Sequence, residues 1–111
     1  MREWAHSFPA EIIVCEPDGM ILEMNQKAID LYQKEGGAAL VGKNVFDHHQ
    51  ETSRTIVKRL VSQRETSIYT TENGGEKKLV CIAPWFIEAK YAGFVLMVLD
   101  LPAQIHNIIK D

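Results

Sequence analysis

The sequence predicts an α+β domain built on an antiparallel sheet, and three observations predict it. Strand-like segments cluster at both ends of the chain with helical periodicity between them, the pattern of α+β folds rather than of alternating parallel ones. Asp18-Gly19 stands between two short apolar runs, a strong signal for antiparallel strands joined by a tight turn. The last two strand candidates, around LVCIAPWFI (79–87) and FVLMVL (94–99), are apolar at nearly every position, so both of their faces need cover.

The 111 residues are about the size of one domain. Hydrophobic residues make up 46% and charged residues 24%, the balance of an ordinary globular protein. A net charge of −3 with no basic block argues against nucleic acid as a partner. No apolar run reaches the roughly 20 residues a membrane span needs, and MREWAHSFPA lacks the apolar stretch of a signal peptide. Cys15 and Cys81 each lie inside an apolar strand candidate, with no CxxC or zinc-type spacing. They are read as small buried hydrophobes in a cytoplasmic protein without disulfides.

Taken in order, residues 1–10 form an N-terminal segment in which EWAHSF is helix-prone, with Trp4 and Phe8 one turn apart. Ile12–Cys15 and Met20–Met24 are the first two strands. Asn25 suits a helix N-cap, because its side chain can accept from a free backbone N–H of the first turn. Ala28, Leu31 and Tyr32 recur at helical spacing, and Gly36-Gly37 ends that helix. AALVGKNVFDHHQ is short and irregular, with one or two helical turns. From Glu51 a longer helix is expected, capped by Thr52 or Ser53, with Ile56, Val57, Leu60 and Val61 on one stripe. SIYTT, KKLVCIAPWFIEA and YAGFVLMVLD are the three closing strands, separated by Asn73-Gly74-Gly75 and by a turn ending at Lys90. Pro84 marks a bulge or an edge position. PAQIHNIIK, in residues 102–111, is expected to close the chain as a helix, with Pro102 in its first turn and Ile105, Ile108 and Ile109 on one face.

This order and spacing resemble a PAS domain, the small sensory module of bacterial and eukaryotic signalling proteins, over roughly residues 8–101. EPDGMILEMNQKAIDLY resembles the family's opening turn, strand, Asn and helix. LVGKNVFD resembles its Gly followed by a short helical stretch near an acidic residue. APWFIEAKYAGFVLMVLDL resembles its closing hairpin. The resemblance implies a five-stranded antiparallel sheet with short helices and one longer helix on one face, spanning residues 11–101. It also implies a sensory or interaction role in signal transduction and, in many members, a pocket between sheet and long helix. In others the core is filled and the domain serves mainly to dimerise. The chain departs from the family where Asp-Ile-Thr often leads into an output helix: Asp100 is followed here by Leu101-Pro102, which puts the usual junction to an effector in doubt. No phospho-acceptor box, nucleotide-binding loop or helix-turn-helix follows, so the chain is expected either to act alone through an unknown signalling partner or to be part of something longer.

The candidate site follows from the same frame. Ile56 and Leu60 are expected to face the sheet across a ligand pocket. Cys81 and Ala83 share one face of their strand, and Phe94, Leu96 and Val98 share one face of theirs; which parity faces the helices stays open. Small Ala83, Ala92 and Gly93 leave room for a ligand or for close approach of another element, and Tyr69 supplies a polar handle. Photosensory PAS members carry a reactive cysteine on the middle helices. No cysteine lies between Cys15 and Cys81, so that flavin chemistry is excluded, and a non-covalent flavin has no specific support. Haem-binding members place an axial histidine on or near the long helix, so His48 and His49 are candidate haem ligands. Adjacent helical residues point about 100° apart, so at most one can face the pocket. His6 and His106 are read as exposed, and Asp30 and Glu35 as a solvated helix face. With no Gly-x-Ser-x-Gly or His-Glu-x-x-His pattern, no catalytic residue is assigned. The expectation is a non-catalytic sensory domain, a cytoplasmic homodimer that binds a small apolar ligand, with no nucleic-acid or membrane partner. A haem-based gas or redox sensor is the alternative.

Overall fold

Strand order in the sheet is β2-β1-β5-β4-β3, every neighbouring pair antiparallel. The strands are β1 (Glu11–Cys15), β2 (Ile21–Met24), β3 (Ser67–Asn73), β4 (Glu76–Ile87) and β5 (Lys90–Asp100). The helices are α1 (Glu3–His6), α2 (Gln26–Leu31) and α3 (Glu51–Ser62), with short 3-10 turns at Gln33–Glu35, Gly37–Leu40 and Val45–His48. This is a computed structural model that describes residues 1–48 and 51–111, apart from the side chains of residues 51 and 52. It is the expected α+β sheet of five strands. The chain enters at the β1–β2 side, crosses through the helices, and returns along β3, β4 and β5.

Register decides which residues form the core. Ile13 pairs with Leu96, Cys15 with Phe94, and Val80 with Val98, and cross-strand partners share a face. Ile13, Cys15, Val80, Ile82, Phe94 and Leu96 therefore point to one side. There they meet Ala28 of α2, Leu40, Val45 and Phe46 of the 3-10 turns, and Val57 and Val61 of α3. Phe94 stacks on Phe46 with centroids 5.9 Å apart.

Asn25 does more than cap α2. Its Oδ1 accepts from the backbone N–H of Ala28 and of Ile12 (3.1 and 2.9 Å), and its Nδ2 donates to the carbonyl oxygens of Ala10 and Phe8 (2.6 and 3.4 Å). The side chain is wholly buried. It ties the start of α2 to β1 and to the segment leading from α1.

Gly93 is required where β1 ends beside β5. Its φ is +147°, and a Cβ there would collide with the carbonyl oxygen of Cys15. Trp85, paired with Gly93, donates from Nε1 to that same carbonyl at 3.1 Å. Thus Gly93 makes room for close approach of protein to protein, rather than for a ligand. The ladder of β3 ends at the Ser67–Ile82 pair, so Pro84 lies past it, where a proline is tolerated. The bulge falls one residue later, between Trp85 and Phe86.

Two expectations are corrected. Helix α3 begins at Glu51, so residues 52 and 53 lie inside its first turn instead of capping it. Residues 102–111 form no helix, and Ile105, Ile108 and Ile109 are exposed. A helix that short is marginal without a packing surface, and within this chain its isoleucine stripe packs against none.

Candidate functional site

The alternation of β1 places Glu11 on the same face as Ile13 and Cys15, toward the helices. Glu11 pairs with Val98 across the β1–β5 ladder. On the far side of the sheet's inner surface, Tyr69 of β3 pairs with Val80 of β4. Helix α3 passes over this end of the sheet, pressing Val57 and Val61 into the core and leaving Leu60 half-buried and Ile56 at the surface. Between helix and sheet lies a cleft of about 620 Å³. Ile56 and Leu60 form its helical wall and Val80, Leu96 and Val98 its apolar floor, while its polar groups are Glu11, Tyr32, Tyr69 and Arg59 with the hydroxyls of Ser53, Ser67, Thr70 and Thr71. The volume falls in the usual range for a small-molecule site.

Four of the residues expected around a pocket come together here: Ile56, Leu60, Tyr69 and Leu96. Three do not. Cys81 and Ala83 pair with Met97 and Val95 and lie on the opposite face of the sheet. Phe94 faces inward but packs on Phe46, outside the lining of the cleft. Ile56 lines the cleft from its rim and not from the sheet-facing stripe, being 47% exposed. Val98 joins the lining, on the face it shares with Leu96, whereas Glu11, Tyr32 and Val80 were not foreseen. The period-two alternation from Ile13 and Cys15 back to Glu11 is the signal by which the carboxylate was recoverable.

The electrostatics of the cleft centre on Glu11. Burial raises its pKa above the ordinary carboxylate value of 4.5, against the opposing pull of Lys78, a hydrogen bond from Tyr32, and Lys27. The Tyr32 phenol is pushed up in turn, first by burial and then by the Glu11 charge. Burial raises Tyr69 as well. Cys15, sealed in the core, has its thiol pushed up to about 12 by burial and by Asp18, which makes it inert as a nucleophile at neutral pH. Outside the cleft, Asp100 takes hydrogen-bonded Lys27 at 2.9 Å and Lys78 at 4.0 Å.

The sheet order and the crossing through short helices give an overall fold that superposes on solved sensor domains. The PAS domain of the histidine kinase ThkA superposes with a TM-score of 0.64 at 20% identity, covering 80% of this chain and 96% of that one. The chain has the PAS fold. The Aer2 receptor from Vibrio cholerae, described as a dual PAS-haem oxygen sensor, matches at TM-score 0.57 and 21% identity, over 84% of this chain and 95% of that one. A sensor region of a sensor histidine kinase matches at TM-score 0.60 and 18% identity over 81% of this chain, which spans 38% of that longer region. The sequence matches no family model and no curated protein.

Haem fits this PAS cleft poorly through His48. That residue ends the Val45–His48 turn and borders a void of about 10 Å³ among Ile13, Ile21, Met24 and Leu40. It does not line the large cleft, so it is not placed to ligate a group held there. His49 lies outside the described residues. Among the described residues, no helix is long and apolar enough to cross a membrane.

Proposed function

We propose that this PAS domain is a non-catalytic sensing module of cytoplasmic signal transduction, one that binds a small ligand in the α3 cleft and works as a homodimer. The observation that carries the reading is the contrast between the two faces of β4 and β5. One face is packed under the helices except at the α3 cleft, whose floor is aliphatic and whose buried polar group is Glu11. The other presents Leu79, Cys81, Val95, Met97 and Leu99, all half-buried.

Helix α1 supports one end of that outer face. The Met1 amino group pairs with Glu23 at 2.9 Å, and Glu23 pairs in register with outward-facing Val14. The rest of the face fits a second copy of the chain, the commonest partner for a self-complementary apolar patch. A ligand that prefers one seating of α3 on the sheet would shift the population of dimer arrangements and so reach a partner protein.

Sedimentation of the wild type and of Met97→Glu at micromolar concentration tests the dimer. The expected result is a dimer that the substitution converts to a folded monomer. A wild type that stays monomeric at high micromolar concentration removes the homodimer and leaves the cleft. Native mass spectrometry of protein purified from cells then reads whether a small molecule is carried in it.

A further inference from the structure

The ligand class of the cleft can be narrowed, on the reading that the cleft is a binding site. Glu11 is 6% exposed and lines the cleft. No ion pair between described residues includes it. The two lysines that act on it, Lys27 and Lys78, both lie within ion-pair distance of Asp100, and Lys27 also donates to the carbonyl of Pro9 at 3.0 Å. A carboxylate carries about four acceptor sites, and Tyr32 supplies one donor. Burying a carboxylate without a cation is expensive, and proteins rarely do it away from a functional site. The cleft also holds the aliphatic side chains of Leu60, Val80, Leu96 and Val98, with hydroxyls contributed by Ser53, Ser67, Thr70 and Thr71. An acidic group on an apolar floor complements one kind of molecule.

We infer that the cleft takes a small amphipathic amine, its ammonium seated on the Glu11 carboxylate and its apolar body between Leu60 of α3 and Leu96 of β5. The ammonium supplies the charge that neither lysine gives up from Asp100, and Tyr32 keeps its own hydrogen bond to the carboxyl. Arg59 also lines the cleft but is exposed on α3, where solvent and salt screen it. Other titratable groups acting on Glu11 are Lys78, Lys27, Asp100 and Tyr32. Tyr69, also in the cleft, stays neutral across the working range.

The test uses three six-carbon probes of equal length: hexylammonium, 1-hexanol and hexanoate. Each is titrated at pH 7.5 into the wild type and into Glu11→Gln, Tyr32→Phe and Leu60→Trp, with protein NMR shifts as the readout. The expected result is an amine affinity at least about tenfold above that of the alcohol, the scale of one charge-assisted hydrogen bond, with hexanoate weakest. Glu11→Gln, which keeps an acceptor for Tyr32, abolishes the preference but retains alcohol binding. Tyr32→Phe keeps amine binding at or above the wild-type level, so the result does not hang on one variant. Leu60→Trp fills the cleft and weakens all three probes. Amine affinity also falls on acidification, as Glu11 takes up its proton. If the three probes bind equally, or the preference survives Glu11→Gln, the amine inference is overturned while the cleft stands. If no probe binds at millimolar concentration, the cleft reading fails and takes the inference with it.

Discussion

The two faces of the β4–β5 hairpin have nearly the same composition and opposite fates. On the inner face Val80, Ile82, Phe94 and Leu96 are at most 7% exposed, closed over by α2, α3 and the 3-10 turns. On the outer face their sequence neighbours Leu79, Cys81, Ala83, Val95 and Met97 are half-buried. Apolar side chains on alternate positions are equivalent until register and connection decide which set the rest of the chain can reach. Here the crossover through α2 and α3 runs over one side only, and the residues after Leu101 do not fold back as a helix over the other. The inner face is where stability resides, and the outer face is where association is expected.

Truncation on each face breaks or confirms that division. Phe94→Ala removes a fully buried ring stacked on Phe46 and is expected to cost about 3–5 kcal/mol in urea unfolding. Met97→Ala, on the half-buried face, is expected to cost about 1 kcal/mol when measured at concentrations where the protein is monomeric. Equal losses at the two sites would mean that the outer face is already packed within one chain.

The next effect in size concerns the joint between the two sides. Asn25 bonds to β1 and α2 on the inner side and to Ala10 and Phe8, which lead from α1 on the outer side. Asn25→Ala leaves the N–H groups of Ile12 and Ala28 without this acceptor and removes the donor to the Ala10 carbonyl. With each stranded buried group costing about 1–3 kcal/mol, a total loss near 2–4 kcal/mol is expected. Amide hydrogen exchange should show Ile12 and Ala28 losing protection together. A change confined to Ala28 would mean that Asn25 is only a cap.

How much of this was legible in the sequence depends on the kind of signal. Turn chemistry was: Asp18-Gly19 and Gly74-Gly75 lie between paired strands, and Asn25 caps α2. These signals are local, set by the residues themselves. Parity was not. Period two shows that Cys81 and Ala83 share a face but not which face, and that choice belongs to the long-range pairing of β5 with β1. Helix phase was read a quarter-turn off, so that Ile56 sits at the cleft rim while Val57 fills the core. A charged residue opening an apolar strand resembles a boundary, and only the period-two alternation of β1 puts Glu11 on the inner face. The isoleucine stripe of 102–111 had the right period for a helix, but period alone does not provide a surface for it to pack on.

The smallest effect separates a carboxyl on the inner face from one at the surface. Glu11 has a folded-state pKa raised by burial, so it binds its proton more tightly when folded than when unfolded. Its ionisation therefore opposes folding. Stability on this account is full below about pH 4.5, falls as pH rises from there through the folded-state value, and stays lower above it. Asp100 behaves in the opposite way. Its pKa is lowered by the hydrogen bond and charge of Lys27, so its contribution is present above the ordinary 3.8 and is lost as pH falls through the lower folded value. Asp100 is fully exposed, and solvent makes its term the lesser one. The two windows lie on either side of pH 4, so one series of melting temperatures from pH 2.5 to 8 reads both. Glu11→Gln should match the wild type near pH 4 and melt higher than it at pH 7, whereas Asp100→Asn should differ from the wild type mainly above pH 4. If Glu11→Gln melts lower at pH 7, the ionised carboxylate is compensated inside the folded chain, and the need for an outside cation disappears with it.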